Sequence, residues 1–208
     1  MTAPTVMGPA GASGSWPSPT KLDRLTAVVA VGSNASPAVL REKLADLLDG
    51  GVPLAPAAVE GLGVGHSSHV SAGGYIAAAP FRDDDARSAV SVCWLDGEQL
   101  AALDATEPNY SRRRVAAGAR CTLADGTLVP DAEVYDSRHG VLGDAGRPLS
   151  LGTQADVLTW LCDRLPEASQ YGLTGTVSDH DVLLDGDVRE KVRRAVLSHN
   201  LVRLSELA

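Results

Sequence analysis

Aromatic residues are scarce in this chain: one phenylalanine, four tyrosines and three tryptophans make up 4% of it. The core must therefore rest on Ala, Val and Leu. Cysteine is also sparse. Cys93, Cys121 and Cys162 are odd in number, far apart, and form no Cys-x-x-Cys pair. This argues against a disulfide framework and against a zinc site, and it makes a reducing cytoplasm the default location. Isolated cysteines more often pack as small apolar residues than act as nucleophiles. No apolar run approaches the length of a membrane span. The first twenty residues carry no Lys or Arg and no apolar segment of the signal-peptide kind. Positive charge is in deficit, with a net charge of −8. That speaks against non-specific binding to nucleic acid or to an anionic membrane, both of which need a basic surface.

What is present suffices for a globular protein. A chain of 208 residues with a hydrophobic share of 44% can build one large domain or two small ones. Residues 1–22 are rich in Pro, Gly, Ser and Ala and are expected to form a disordered tail. Residues 23–150 are expected to form the main domain, and 151–208 a helical extension packed on it.

The most informative stretch is Ala27-Val28-Val29-Ala30-Val31, followed by Gly32-Ser33-Asn34 and Ser36-Pro37. The apolar run alternates too little to be half-exposed and reads as a buried strand. Ser36 suits an N-cap and Pro37 the first helical position. Leu40, Leu44, Leu47 and Leu48 share one face of the helix that follows, with Arg41, Glu42, Lys43 and Asp46 mostly on the solvated side. Gly50-Gly51 ends it. A small-residue loop between strand and helix leaves backbone N–H groups unpaired, where an anion or carboxylate is favoured. Such a loop is also ordinary turn chemistry.

Residues 52–95 read as strands and turns. Asp96 and Gln99 form a capping-box pattern for a short helix from Gly97. Tyr110–Ala116 and Ala132–Tyr135 read as further strands. Thr153 with Asp156, and Asp187 with Glu190, are expected to cap two late helices, the second bearing Arg189, Lys191, Arg193 and Arg194 as a solvated face.

Glu107 is the candidate catalytic carboxylate. It precedes Pro108, which pushes it out of the helical region, so it falls where the short helix ends. The negative end of the helix dipole disfavours a charged carboxylate there, the direction a general acid/base needs. A solvated Glu at a helix end is the plain alternative. His66 and His69 lie three apart on a strand and so face opposite sides, which argues against a shared metal. Gly65-His66-Ser67-Ser68-His69 approaches a nucleophile elbow but ends in His and lacks the strand–elbow–helix context. Gly61-x-Gly63-x-Gly65 lacks the spacing of a dinucleotide fingerprint.

Gly32-Ser33-Asn34 after the first strand, then Trp94-Leu95, Leu100, Leu103-Asp104, Glu107, Tyr110, Arg112 and Val115, resemble the γ-glutamylcyclotransferase-like superfamily over residues 26–136. The resemblance implies an α+β fold: a mixed β-barrel flanked by helices, with extra helices at the C-terminus. It implies that Val31, Gly32, Ser33, Asn34 and Tyr110 line the substrate and that Glu107 transfers protons. The implied reaction is the cyclisation of a γ-glutamyl amide to 5-oxoproline, with release of an amine or amino acid. It needs no cofactor and no metal. The partner implied is a small molecule with a γ-glutamyl-like group, with neither nucleic acid nor membrane; no oligomeric state is implied. Two positions depart from the family pattern: Val31 stands where the family has Tyr, and Pro108 follows the glutamate where Gly is usual. Val31 keeps open one alternative, a non-catalytic module for small carboxylates or amino-acid-like ligands, and the added C-terminal helices a second, a protein-interaction module of the same fold.

Overall fold

Alternate residues of the strand Thr26–Ala30 enter two different apolar clusters, so the strand shows no polar face in its sequence. Ala27 and Val29 join one cluster, and Val28 joins the other. This is the period of two expected of a strand buried on both sides. The structure, a computed structural model, describes residues 3–12 and 14–207.

Among the described residues eleven strands occur: β1 (Thr5–Gly8), β2 (Gly11–Ala12), β3 (Thr26–Ala30), β4 (Val52–Val70), β5 (Ile76–Leu95), β6 (Tyr110–Arg114), β7 (Arg120–Leu123), β8 (Glu133–Ser137), β9 (Val141–Asp144), β10 (Arg147–Pro148) and β11 (Val202–Arg203). The α-helices are α1 (Pro19–Leu22), α2 (Pro37–Lys43), α3 (Gly97–Ala105), α4 (Gln154–Arg164), α5 (Asp179–Leu183) and α6 (Gly186–Ser198). The class is α+β, as the resemblance implies. The contacts divide the chain into two units at points other than residue 150. One unit holds residues 1–63, 82–138 and 206–208, and the other 64–81 and 139–205.

In the first unit the sheet runs β4–β5–β3–β8–β6, with β1 and β7 also paired to β4, and it curls as a half-barrel. The β1–β4, β3–β5, β4–β7 and β6–β8 pairings are antiparallel, whereas β3 and β8 run parallel, with Val28 opposite Glu133 and Val29 opposite Val134. One face carries Ala27, Val29, Ala55, Val59, Val92, Trp94 and Val134. The other carries Val28, Leu54, Cys93, Leu95 and Tyr135, and is covered by Leu40 of α2, by Leu44 and Leu48 beyond it, and by Leu103 of α3. These aliphatic side chains supply the core that the shortage of aromatics requires.

Residues 1–22, expected as a tail, carry β1, β2 and α1 among their described residues; residues 1, 2 and 13 lie outside the described set. Thr5-Val6-Met7 pairs antiparallel with Val52-Pro53-Leu54, and Met7 is buried in the second cluster. Two apolar residues inside a Pro/Gly-rich stretch were enough to claim an edge of β4. The helix expected to reach Gly50 is shorter: α2 ends at Lys43, and a 3-10 turn, Ala45–Leu47, continues to the glycines.

In the second unit β9 pairs with β4 (Ser67 opposite Val141), with β10 and with β11. Val157, Leu158 and Leu161 of α4 and Val192, Ala195 and Val196 of α6 pack with Ile76 and Leu142. The Thr153–Asp156 capping box forms as expected. The cap of α6 differs from expectation. It is Asp185, whose carboxylate accepts from the N–H groups of Asp187 and Val188, so the helix starts at Gly186. Three of the four basic residues of α6 are locally committed. Arg193 and Arg194 pair with Glu190 at 2.9 and 2.8 Å, and Arg189 donates to the carbonyls of Leu183 and Leu184.

Candidate active site

Gly32 has φ +58°, a backbone conformation that glycine adopts without strain, and it turns the chain sharply after β3. Gly32–Ala35 form a single 3-10 turn before α2. The N–H groups of Gly32 and Ser33 come first in that turn and have no acceptor within it. Gly32 and Ser33 are exposed, whereas Asn34 is buried. Val31 packs against the cluster that holds Ala27 and Val29, consistent with the alternation of β3.

Glu107 is positioned by the end of α3. The Asp96 carboxylate and the Gln99 side chain complete the expected capping box at the start of that helix. At its far end the Glu107 N–H donates to Asp104 O at 3.1 Å, and Tyr110 N–H donates to Glu107 O at 3.0 Å. The second bond closes a turn with Pro108 at its second position, where proline's fixed φ suits it. Tyr110 then opens β6, half-buried beside the second cluster.

The turn and the glutamate meet. Asn34 Nδ2 donates to Glu107 Oε1 at 2.9 Å. A third residue completes the group: Lys43 Nζ donates to Glu107 Oε1 at 2.6 Å and to Asn34 Oδ1 at 2.8 Å. The side chains of Lys43 and Glu107 are 19% and 11% exposed, so the ion pair is largely shielded from water yet reachable. Both donors converge on Oε1, and Oε2 receives neither. Lys43 was expected on the solvated side of α2. A lysine among charged neighbours carries no local mark of a partner far along the chain, and only the union of turn and glutamate exposes its role.

A second polar group anchors α3. Asp104 accepts from Arg112 Nε and Nη2 at 3.0 and 3.1 Å and from Tyr135 Oη at 2.8 Å, and Arg112 Nη1 also donates to Glu133. The Arg112 fork holds the Asp104 carboxyl below the usual carboxylate range, helped by the Tyr135 hydroxyl and opposed by partial burial. Burial and the neighbouring Asp104 raise the Tyr135 phenol, with a smaller contribution from the Glu107 charge. These bonds tie the end of α3 to β6 and β8, and so locate the turn that carries Glu107.

The remaining candidates take other places. His66 Nε2 accepts from Gly152 N–H at 3.0 Å, while His69 Nδ1 lies 2.5 Å from Ser67 Oγ and its ring packs, tilted by 34°, against His139 with centroids 4.4 Å apart. The two histidines thus have different partners. Burial, and then the adjacent His139, push His69 down to about 4. Ser67 is wholly buried, so its hydroxyl offers no access to a substrate. Burial pushes the Cys93 thiol up to about 12 and the Cys121 thiol up to about 11, which makes both poor nucleophiles. Among the described residues, no group of three or more His, Cys, Asp or Glu side chains is placed to hold a metal ion, and no helix is long and apolar enough to cross a membrane.

No protein-family model and no curated protein matches the chain. Solved structures do. The chain is similar to a γ-glutamyl cyclotransferase at 11% identity and a TM-score of 0.46, over 81% of this chain and 98% of that one. It is similar to the uncharacterized protein loc79017 of Homo sapiens at 11% identity and a TM-score of 0.47, over 82% and 99% of the two chains. It is also similar to the Arabidopsis thaliana protein At5g39720.1 at 16% identity and a TM-score of 0.45, over 71% and 89%.

Proposed function

We propose that this protein is a γ-glutamylcyclotransferase-like enzyme acting on a small molecule in the cytoplasm. It would cyclise a γ-glutamyl amide to 5-oxoproline and release an amine or amino acid. The observation that carries this reading is the 2.9 Å bond between Asn34 and Glu107, which joins the turn and the carboxylate in one group.

In this scheme the substrate's α-amine attacks its own γ-carbonyl carbon. A C–N bond forms, and the carbonyl oxygen gains charge that the N–H groups of Gly32 and Ser33, which have no acceptor within their turn, can meet. Glu107 takes a proton from the attacking amine and gives one to the leaving nitrogen as the old C–N bond breaks. The step is intramolecular, so holding one folded conformer supplies much of the rate. No outside reactant is required.

The test is release of 5-oxoproline from a panel of γ-glutamyl amines and peptides, with Glu107→Gln as the control. Turnover in the wild type that falls about 100-fold or more in the variant supports the scheme. Turnover that survives in Glu107→Gln removes Glu107 from it.

The Lys43–Glu107 ion pair favours one other reading, a site that binds an amino-acid-like ligand without reacting. Thermal stabilisation by γ-glutamyl compounds with no product across the panel would select that reading.

A further inference from the structure

Lysine carries N–H donors and no acceptor. The atom of Asn34 that Lys43 meets at 2.8 Å is therefore the carboxamide oxygen, and the amide's NH2 end must face the other way. Glu107 Oε1 lies on that side, 2.9 Å from Nδ2. The same ammonium binds Oε1 directly at 2.6 Å. Lys43 is the last residue of α2, with Leu40 and Leu44 buried at 0% and 1% on either side of it, so its backbone is held by the core. Without Lys43, only the Glu107 carboxylate would distinguish the two ends of the Asn34 amide, and nothing would hold the amide oxygen. Turned over, the amide would set its oxygen against a carboxylate, two acceptors face to face.

We propose that Lys43 is a positioning residue of this site. Together with Glu107 it fixes which end of the Asn34 amide faces the carboxylate, and it holds Oε1 so that Oε2 is the oxygen presented to a reacting group. The proposal rests on the reading of Glu107 as the proton-transfer residue. It adds the residue that aims Glu107, one that neither the turn nor the glutamate revealed in the sequence.

The experiment compares wild type, Lys43→Met and Lys43→Arg. Methionine keeps an unbranched apolar stem without donors, and arginine keeps a charged donor. Two measurements are made on each protein. The first is the side-chain amide signal of Asn34 in 15N–1H spectra, which is read whether or not the protein turns over a substrate. It should shift or broaden in Lys43→Met and return toward wild type in Lys43→Arg. The second is 5-oxoproline release, where kcat should fall roughly 100-fold in Lys43→Met, with KM nearly unchanged and the fold intact by circular dichroism, and recover to within about tenfold in Lys43→Arg.

An Asn34 signal unchanged in Lys43→Met overturns the proposal. So does a kcat that stays at the wild-type level, or one whose loss only tracks the fraction unfolded and is not restored by arginine. If the wild type releases no 5-oxoproline, the proposed reaction fails. The Asn34 signal still decides whether Lys43 sets the amide.

Discussion

The Tyr135 hydroxyl donates to Asp104 Oδ1 at 2.8 Å, on the same carboxylate that receives the fork of Arg112. One side chain at the end of α3 is thereby tied to two strands. Tyr135→Phe deletes one bond and little volume, and should lower stability by about 1 kcal/mol in urea unfolding at neutral pH. Asp104→Asn should also destabilise, and its deficit depends on pH. The folded state holds this carboxyl below its ordinary range, so its contribution is complete above the unfolded-state value and is lost as pH falls through the folded one. The gap between wild type and Asp104→Asn should therefore close as pH falls below the usual carboxylate range. A gap that stays constant with pH would show that the ionised form is not what stabilises.

Asn34→Asp changes one atom's chemistry and almost no shape. It replaces the donor facing Glu107 Oε1 with a second acceptor. A loss of about 1–3 kcal/mol at pH 7 is expected, offset in part by the nearby Lys43 ammonium. The loss should shrink on acidification, when a protonated carboxyl can again donate. Urea melts at pH 7 and pH 4.5 check this.

His69 predicts acid sensitivity. Its folded value is pushed down to about 4 from an ordinary 6.5 by burial and by His139. Between those values the unfolded chain binds the proton and the folded one does not, so stability is full above about pH 6.5 and falls as pH drops toward about 4. The whole effect is on the order of 3 kcal/mol. Thermal melts from pH 7.5 to 4.5 should show a slope that is flattened in His69→Gln. An unchanged slope would assign the acid loss to other groups.

The two acidic residues at the start of α6 can be separated. Asp185→Ala removes the observed cap and should cost about 1 kcal/mol. Asp187→Ala removes only a charge from the first turn and should cost roughly half of that or less. Equal losses in urea unfolding would return the cap to Asp187.

The features legible in the sequence were those with local marks. The buried strand showed in its lack of alternation, and the reason is the pair of clusters on its two faces. Asp96–Gln99 and Thr153–Asp156 declared their helices because a capping box is a contact three residues long. The placement of Glu107 followed from Pro108. The rest depends on partners remote in sequence. Lys43 lies 64 residues from Glu107 and looked like one more charge on a charged helix. The contact of the His69 and His139 rings joins a strand to a turn that no spacing rule connects. Thr5–Gly8 was hidden by the composition around it, because composition averages over the two apolar residues that make the pairing. Asp185 lost to Asp187 in the sequence because Glu190 completes a box pattern that the chain does not use.

The parallel pairing of β3 with β8 has a kinetic consequence. Lys43 and Asn34 are nine residues apart and can meet within one local segment, but Glu107 arrives only after the long excursion through β4 and β5. Bringing such distant segments together demands that the entropy of a large loop be spent before any contact repays it. During refolding the lysine–asparagine half should assemble early, and the carboxylate should join when the central strands register. The three-residue group is then among the last features the polypeptide assembles after synthesis, and a partly folded chain with full helix content would lack it.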